Sequence, residues 1–223
     1  MKLAVFSDIH GNLPFFEAFL KEAQSANVDR YVFLGDAVSY YPDGCVVIRK
    51  LREISALCIE GNHDAMLRGE LPIPENHEPV YQLRQTMAEI SDNDLSYVKS
   101  WPEIVKETLD GKRLTFVHGN PLNHLNGYTY ADSELARYDD HDDDIVFVGH
   151  THRPWIHQNP HTLMVNVGSV GLPRDKGGGS KPAWVLYDST TGIPELRRID
   201  ADPTPLLALR GKVHESVLDM LNR

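Results

Sequence analysis

Seven side chains that can bind metal ions follow five short, mostly apolar segments of the sequence. Asp8 and His10 follow residues 3–6, and the same arrangement recurs after residues 31–34, 57–60, 114–117 and 145–148. The complete set is Asp8, His10, Asp36, Asn62, His118, His150 and His152. Carboxylate, amide and imidazole ligands without a thiolate suit manganese, iron or zinc. The set is too large for one ion with an open position and about right for two.

The apolar segments before these side chains are typical of strands that are buried on both faces. We therefore expect a central, largely parallel sheet. The separations from Asp8 to Asp36 and from Asp36 to Asn62 each match one strand–helix–strand unit. Functional groups collect beyond the carboxyl ends of parallel strands, so the five clusters are predicted to meet there.

Helices are predicted between these strands. Pro14 suits a first helical position, and residues 15–23 place apolar side chains on one face. Asp43 is a candidate cap for a second helix. The proline-broken excursion 66–102, with helices predicted over 80–90 and near 94–100, is where an insertion facing the substrate would fit.

Strands are also predicted over residues 161–167, 183–187 and 195–199, with a turn at 190–192, and we expect them to form a second, more antiparallel sheet. Residues 177–180 indicate a mobile loop tip. The acidic run 139–144 is interpreted as a solvated loop in preference to a calcium site. The C-terminal tail, about 203–223, has helical spacing and either packs on the body or makes a dimer contact.

Composition limits the possible functions. The chain has 223 residues and a net charge of −10, which favours one domain over residues 1–223 and argues against general binding to nucleic acid or to an anionic membrane. Cys45 and Cys58 form no C-x-x-C motif, which favours a reduced protein. Neither a signal-peptide core nor a membrane span is recognised, so a cytoplasmic, soluble protein is expected.

The motifs "SDIHGN", "LGD", "EGNHDA", "VHGNP" and "GHTHRP", in this order, resemble those of the calcineurin-like metallophosphoesterase superfamily. The match spans residues 1 to about 175, and "NVGSVGLPRD" (166–175) is similar to a stretch in the small bacterial and archaeal members. The resemblance implies an α/β fold, a four-layer α-β-β-α sandwich in which two mixed β-sheets are flanked by helices. It also implies a metal-dependent hydrolase of phosphoric esters.

The resemblance further assigns roles to the site residues. It gives one metal to Asp8, His10 and His152, the second to Asn62, His118 and His150, and the bridging position to Asp36. His63 falls at the family's catalytic histidine. Two divalent ions, with manganese favoured, would hold the attacking and phosphoryl oxygens, and a bridging hydroxide would be the nucleophile. His63 would orient the phosphoryl group or protonate the departing oxygen; the alternative for it is a supporting position behind the ligands.

Departures from the family pattern bear on the substrate. "GDAVSYYPDG" lacks the Asp-Arg-Gly of the phosphoprotein phosphatases and resembles small phosphodiesterases that include dinucleoside polyphosphate hydrolases. That subgroup usually has His-Gly-Ser-Pro where this chain has "HGNP", and Gln where it has Leu172. A small, nucleotide-like phosphodiester, polyphosphate or phosphomonoester is the predicted substrate. Arg153, Arg174 and Arg68 are candidates for binding a remote phosphate, or are ordinary surface arginines.

Other functions of the same fold remain as alternatives. They are a phosphoprotein phosphatase, a repair nuclease and a non-catalytic metal-binding scaffold such as the retromer subunit. A nuclease would need a basic groove, and a scaffold would be expected to lack His63.

Overall fold

Two five-stranded sheets form the centre of the computed structural model, which describes residues 1–140, 142–175 and 181–222. Within these ranges the strands are β1 (Lys2–Phe6), β2 (Arg30–Phe33), β3 (Leu57–Cys58), β4 (Ile104–Leu109), β5 (Lys112–Val117), β6 (Ile145–Val148), β7 (Trp155–Gln158), β8 (Leu163–Asn166), β9 (Ala183–Asp188) and β10 (Ile193–Arg198). The first sheet has the order β10-β9-β1-β2-β3, and the second has the order β4-β5-β6-β8-β7.

Both sheets are mixed, as the family resemblance implies. In the first, β1 pairs parallel with β2 and β2 with β3, whereas β9 is antiparallel to β1 and to β10. In the second, β5, β6 and β8 are parallel, and β4 and β7 are antiparallel edge strands. The α/β class with two mixed sheets is therefore confirmed.

The pairing expected from the apolar pattern alone was wrong in two respects. The five strands that precede the metal-capable residues are divided between the two sheets and do not form one central sheet. The strands after His152 do not form a separate sheet either, because β8 joins β6 whereas β9 and β10 extend the sheet of β1. The strands β1, β6, β8 and β9 are buried on both faces, so their own sequences do not indicate which neighbours they take.

Alternating side chains of the strands build the cores on the two faces of the first sheet. Leu3 and Val5 of β1 face the second sheet and pack with Phe116 and Phe147. Phe6, from the opposite face of β1, packs against the first helix and other large apolar residues. A further apolar cluster on the outer face of the second sheet lies under the 3₁₀ turn Leu135–Tyr138. The first sheet thus has apolar packing on both faces, which holds its strand ends rigidly.

Within the described ranges, the helices lie in segments for which the sequence predicts helical structure, except the one at Asn62–Leu67, which was not predicted. They are α1 (Leu13–Ser25), α2 (Gly44–Glu53), α3 (Asn62–Leu67), α4 (Glu78–Tyr81), α5 (Leu83–Glu89), α6 (Asp92–Val98), α7 (Thr204–Leu207) and α8 (Glu215–Leu218). Asn12 caps α1 by accepting from the N–H of Phe15. Asp43 occupies the N-cap position of α2, but its side chain makes no capping hydrogen bond. The helix predicted over 80–90 is divided at Gln82, whose φ of 52° is left-handed.

The C-terminal segment 203–222 packs on the body, near the first helix and the loop after β2. Its buried residues Leu206, Val213 and Val217 contact a cluster that includes Phe15 and Tyr41. Residues 177–180 lie outside the described residues, as does His141 of the acidic run. Within the described ranges, none of the helices has the length and hydropathy needed to cross a membrane.

Candidate metal centre

The seven metal-capable side chains come together at one edge of the sandwich. They follow the carboxyl ends of strands from both sheets: Asp8 and His10 after β1, Asp36 after β2, Asn62 after β3, His118 after β5, and His150 and His152 after β6. All seven are buried, with Asn62 the most exposed at 6%. The convergence predicted from the sequence is therefore present, although two sheets supply it.

Three of these residues form one group. The Nε2 atoms of His10 and His152 are 3.2 Å apart, and they lie 3.6 and 3.2 Å from Oδ1 of Asp8. The three donor atoms lie within 4.8 Å of one another and could hold a metal ion.

A second group lies beside the first. Nε2 of His118 is 3.2 Å from Oδ1 of Asn62 and 3.1 Å from Nδ1 of His150. Oδ2 of Asp36 lies between the groups, 3.7 Å from Nε2 of His10 and 3.4 Å from Nε2 of His118. A single carboxylate oxygen therefore faces both groups.

Backbone carbonyls fix the orientation of three of the imidazoles. Nδ1 of His10 donates to the carbonyl of Val38 at 2.9 Å, and Nδ1 of His118 donates to that of Leu34 at 2.7 Å. Nδ1 of His152 donates in the same way, at 2.6 Å to the carbonyl of Leu172. In a neutral ring this places the free lone pair on Nε2, the atom that faces the site.

Several atoms of the site therefore need a cation. In the first group, two Nε2 lone pairs face each other at 3.2 Å. Oδ1 of Asp8 is fully buried and has no hydrogen-bond partner among the described residues. Buried polar atoms normally have partners, so these donors fit a divalent ion that would satisfy them together.

Charges within the site oppose the effect of burial. Burial disfavours the carboxylate form of Asp36, but the charges of His118 and His63 hold its pKa well below the usual range. Burial would likewise lower the pKa of His118, but the Asp36 carboxylate raises it to about 9. A proton at His118 and a metal ion compete for the same lone pair, so metal binding is expected to displace it. Burial lowers the pKa of the other shifted histidines to about 3 or 4: His63, His150 and His152.

The backbone of the site is strained. Five of the seven residues have left-handed φ values between 52° and 65°: Asp8, His10, Asp36, His150 and His152. This conformation costs a residue with a side chain about 1 kcal/mol or more. Backbone hydrogen bonds such as Asp8 N–H to Gly35 carbonyl (2.9 Å) and His10 N–H to Asp36 carbonyl (3.0 Å) keep these loops in place.

Comparison with known proteins agrees with this site. Residues 1–190 match the sequence profile of the calcineurin-like phosphoesterase superfamily domain. The chain belongs to this superfamily. The superfamily consists of metal-dependent phosphoesterases, so the enzyme class predicted from the motifs is confirmed.

Relatives occur in archaea and bacteria, in accordance with the predicted subgroup. An uncharacterized protein of Methanocaldococcus jannaschii is 29% identical over 221 residues, covering 90% of this chain and 88% of that protein. The phosphodiesterase YfcE of Escherichia coli is 25% identical over 199 residues, covering 85% and 88%. The crystal structure of a metallophosphoesterase from Sphaerobacter thermophilus is similar with a TM-score of 0.83 at 26% identity, covering 99% of this chain and 98% of that one.

His63 of this phosphoesterase lies beside the metal-capable residues. Its backbone N–H donates to Oδ1 of Asp36 at 2.9 Å, and its ring centroid is 5.0 Å from that of His10. The Nδ1 atom of His63 lies 2.9 Å from Oγ of Ser39. The ring also packs edge-on against Tyr81, at 4.5 Å between centroids. These contacts orient the His63 ring toward the site.

The three candidate arginines are in different environments. Arg174 and Arg153 line a cavity of about 390 Å³ together with Tyr40 and Tyr81. Arg68 does not line this cavity, and its guanidinium pairs with Glu60 and Glu70.

Asp64 supports the site, a role that the sequence analysis did not assign to it. The side chain is fully buried, and Oδ2 accepts from the N–H groups of Asp36 (2.7 Å) and Gly61 (3.0 Å). Oδ1 accepts from the N–H of Ala37 at 3.0 Å. Burial and the Asp36 carboxylate raise the pKa of Asp64 to about 8, although these three donors oppose the shift. One side chain thus joins the loops after β2 and β3.

Close packing also explains why position 61 is a glycine. A Cβ atom at this position would lie 2.3 Å from Oδ1 of Asp36, which is too close for any larger residue.

The segment "NVGSVGLPRD" fastens the loop after β6 and the end of β1. Asn166 donates to the carbonyl of Gly149 at 2.9 Å, and Ser169 donates to the carbonyl of Asp8 at 2.8 Å. Its similarity to the small family members pointed to this segment, but the contacts could not be read from sequence.

Tyr128 is another residue that the sequence analysis missed. Its ring lies over that of His150, 4.0 Å between centroids, and it is 57% exposed. No sequence motif marks Tyr128, because it lies in the irregular segment after "HGNP".

Proposed function

We propose that this chain is a dinuclear metal-dependent phosphoesterase that hydrolyses a small, nucleotide-like phosphodiester, polyphosphate or phosphomonoester. The arrangement of Asp36 carries the proposal. Its Oδ2 faces two separate groups of nitrogen and oxygen donors, at 3.7 Å from His10 Nε2 and 3.4 Å from His118 Nε2. Two cations close together require such a shared anion between them.

The residues divide between the ions as follows. Asp8, His10 and His152 would hold one ion, and Asn62, His118 and His150 the other, with Asp36 contacting both. Imidazole and oxygen donors without thiolate favour manganese, with iron or zinc as alternatives. The ions, when bound, supply Lewis acidity toward phosphoryl oxygens and lower the pKa of a water molecule.

His63 is the proposed catalytic residue. The Ser39 hydroxyl is 2.9 Å from Nδ1 and can donate to it, which leaves the ring's own proton on Nε2. Nε2 of His63 makes no hydrogen bond within the described residues, so it is available to the departing oxygen of the substrate. The neutral His63 ring would hold the departing oxygen through a hydrogen bond from Nε2. Transfer of the proton as the ester bond breaks would need the imidazolium form, in which Nδ1 also carries a proton and donates to the Ser39 hydroxyl.

Arg174 and Arg153 are proposed to bind the remainder of the substrate, because both line the cavity beside the metal centre. Arg68 is the weaker candidate since two glutamates already pair with it. The alternatives are a phosphoprotein phosphatase and a non-catalytic scaffold. The positioned His63 favours an enzyme over a scaffold.

Metal analysis tests the dinuclear proposal. The protein reconstituted with manganese should bind about two equivalents of metal, and Asp36→Ala should lose at least one. Asp94→Ala is the control, because Asp94 is also buried but pairs with Arg49 and Arg52, outside the site. Two full equivalents in Asp36→Ala would contradict the bridging role.

The substrate class is tested by turnover. Bis(4-nitrophenyl) phosphate and a nucleotide polyphosphate should be hydrolysed with a higher kcat/KM than a phosphoserine peptide. A ranking with the peptide first would favour the phosphoprotein phosphatase, and no metal-dependent turnover of any ester would favour the scaffold.

A further inference from the structure

A cavity of about 390 Å³ lies beside the metal centre, and several separate parts of the chain form its walls, among them the loop after β2, which supplies Tyr40. His77 and Tyr81 come from the excursion 66–102, and Arg153 and Arg174 follow the last metal-capable residues. Met220, from the C-terminal segment 203–222, also lines the cavity. The volume lies at the low end of the range for small-molecule sites.

Contacts with His63 define which part of a substrate this cavity would receive. Tyr40 and Tyr81 both line the cavity and both pack on the His63 ring, at 5.4 and 4.5 Å between centroids. The proposed role of His63 is to serve the departing oxygen. The cavity therefore lies on the side where the leaving group would sit.

The cavity is cationic in a protein whose net charge is −10. An Nη2 atom of Arg174 donates to the hydroxyl of Tyr40 at 3.1 Å, and the backbone N–H of Arg174 donates to the carbonyl of His152. Arg153 lies over the ring of Tyr130, at 5.4 Å. Neither guanidinium pairs with a carboxylate in the ranges 1–140, 142–175 and 181–222. Two positioned guanidiniums without acidic partners favour an anionic ligand.

Apolar contacts hold the C-terminal segment firmly against the cavity. Leu206, Val213 and Val217 are buried to 4% exposure or less. Nε2 of Gln82 donates to the carbonyl of Lys212 at 2.9 Å, which joins the segment to the wall that carries Tyr81. The superfamily profile ends at residue 190, so this wall lies outside the matched domain.

We propose that the C-terminal segment completes a leaving-group pocket, which selects a compact, planar leaving group that carries a second anionic group. The flat group packs between Tyr81 and Met220, and Arg174 with Arg153 binds the second anion. This inference rests on the proposed function, because it needs a phosphodiester to be cleaved at the metal centre.

Methyl aryl phosphodiesters provide the test. All have the same methyl group, and their leaving groups are 4-nitrophenol, 3-carboxy-4-nitrophenol and 4-nitro-1-naphthol. The enzymatic rate for each diester is divided by the rate at which hydroxide hydrolyses the same diester, which removes differences in intrinsic reactivity. The manganese-loaded wild type should prefer the carboxylated phenol by about 10- to 100-fold in kcat/KM, the effect of a hydrogen bond to a charged group. Arg174→Met should remove this preference.

The role of Met220 is tested with leaving groups of different size. Met220→Ala should raise kcat/KM for the naphthyl diester relative to the nitrophenyl diester by about tenfold, and Met220→Trp should lower the same ratio. Leu207→Ala is the matched control, because Leu207 lies in the same segment and is 37% exposed but does not line the cavity. Its ratio should equal that of the wild type.

The outcomes separate this inference from the function on which it rests. Efficient metal-dependent turnover without a preference for the carboxylated phenol, or with a size ratio that both Met220 variants leave unchanged, would overturn the pocket alone. A wild type that hydrolyses none of the diesters with metal bound would overturn both the pocket and the proposed function.

Discussion

Replacing Asp64 by alanine removes the acceptor of three buried backbone N–H groups. Oδ2 accepts from Asp36 and Gly61, and Oδ1 accepts from Ala37. Each buried donor left without a partner costs about 1–3 kcal/mol, so Asp64→Ala should lower the free energy of unfolding by about 3–6 kcal/mol after partial rehydration. This is a large share of the stability that is typical of a folded protein, about 5–15 kcal/mol. Asp64→Asn keeps one oxygen, able to accept the two Oδ2 bonds, so it should lose only about 1–3 kcal/mol.

Urea unfolding of the metal-free protein in EDTA measures both changes. Asp29→Ala is the control, because Asp29 accepts a single N–H, from Lys2, at an exposed position and its loss should matter little. Metal titration should then show weaker binding in Asp64→Ala, since the loops that carry Asp36 and Asn62 are no longer joined. A free energy of unfolding of metal-free Asp64→Ala that lies within about 1 kcal/mol of the wild-type value, as expected for the control, would refute this reasoning.

Three further predictions concern other parts of the molecule. Ser39→Ala should lower kcat by about tenfold with metal content unchanged. The loss should be greater for leaving groups of high pKa, because without the Ser39 hydroxyl the proton of His63 is no longer fixed on Nε2, the atom that faces the departing oxygen. A loss that is the same for all leaving groups would contradict this role. Gly61→Ala should reduce metal content, because its Cβ would lie 2.3 Å from Asp36 Oδ1; full metal content by mass spectrometry would exclude that displacement. Burial raises the pKa of Cys58 to about 12, so iodoacetamide at pH 8 should label it only in urea. The unfolded thiol ionises near pH 8.5, so the contribution of Cys58 to stability should decrease as pH rises from about 8.5 toward 12.

The sequence was sufficient to predict those features whose pattern lies within one short stretch of residues. Each candidate ligand directly follows a short strand, so Asp8 or His118 could be assigned to a strand end without knowledge of its neighbours. The α1 helix was equally readable, because Pro14 and the apolar residues 15–23 lie in one continuous stretch.

Strand pairing and side-chain partners could not be predicted from the sequence where they depend on contacts between residues far apart in the chain. Whether β8 pairs with β6 depends on residues far apart in the chain, and nothing in its own four residues selects that partner. The edge strand β7 was missed because three of its four residues are exposed, so it lacks an apolar pattern. The hairpin of β4 and β5 had a signal that was overlooked, the Asp110-Gly111 turn with φ values of 48° and 81°. The same holds for the environment of a side chain: the ion pairs of Arg68 with Glu60 and Glu70 are visible only in the three-dimensional structure.

The position of β1 has a consequence for synthesis on the ribosome. β1 spans Lys2–Phe6, whereas its neighbour β9 spans Ala183–Asp188 and is synthesised much later. Until β9 leaves the ribosomal tunnel, one edge of β1 has no partner strand, and an open strand edge can pair with another chain. The nascent protein is therefore exposed to aggregation throughout the interval between the synthesis of β1 and that of β9, and a product truncated before residue 183 would keep that edge open permanently.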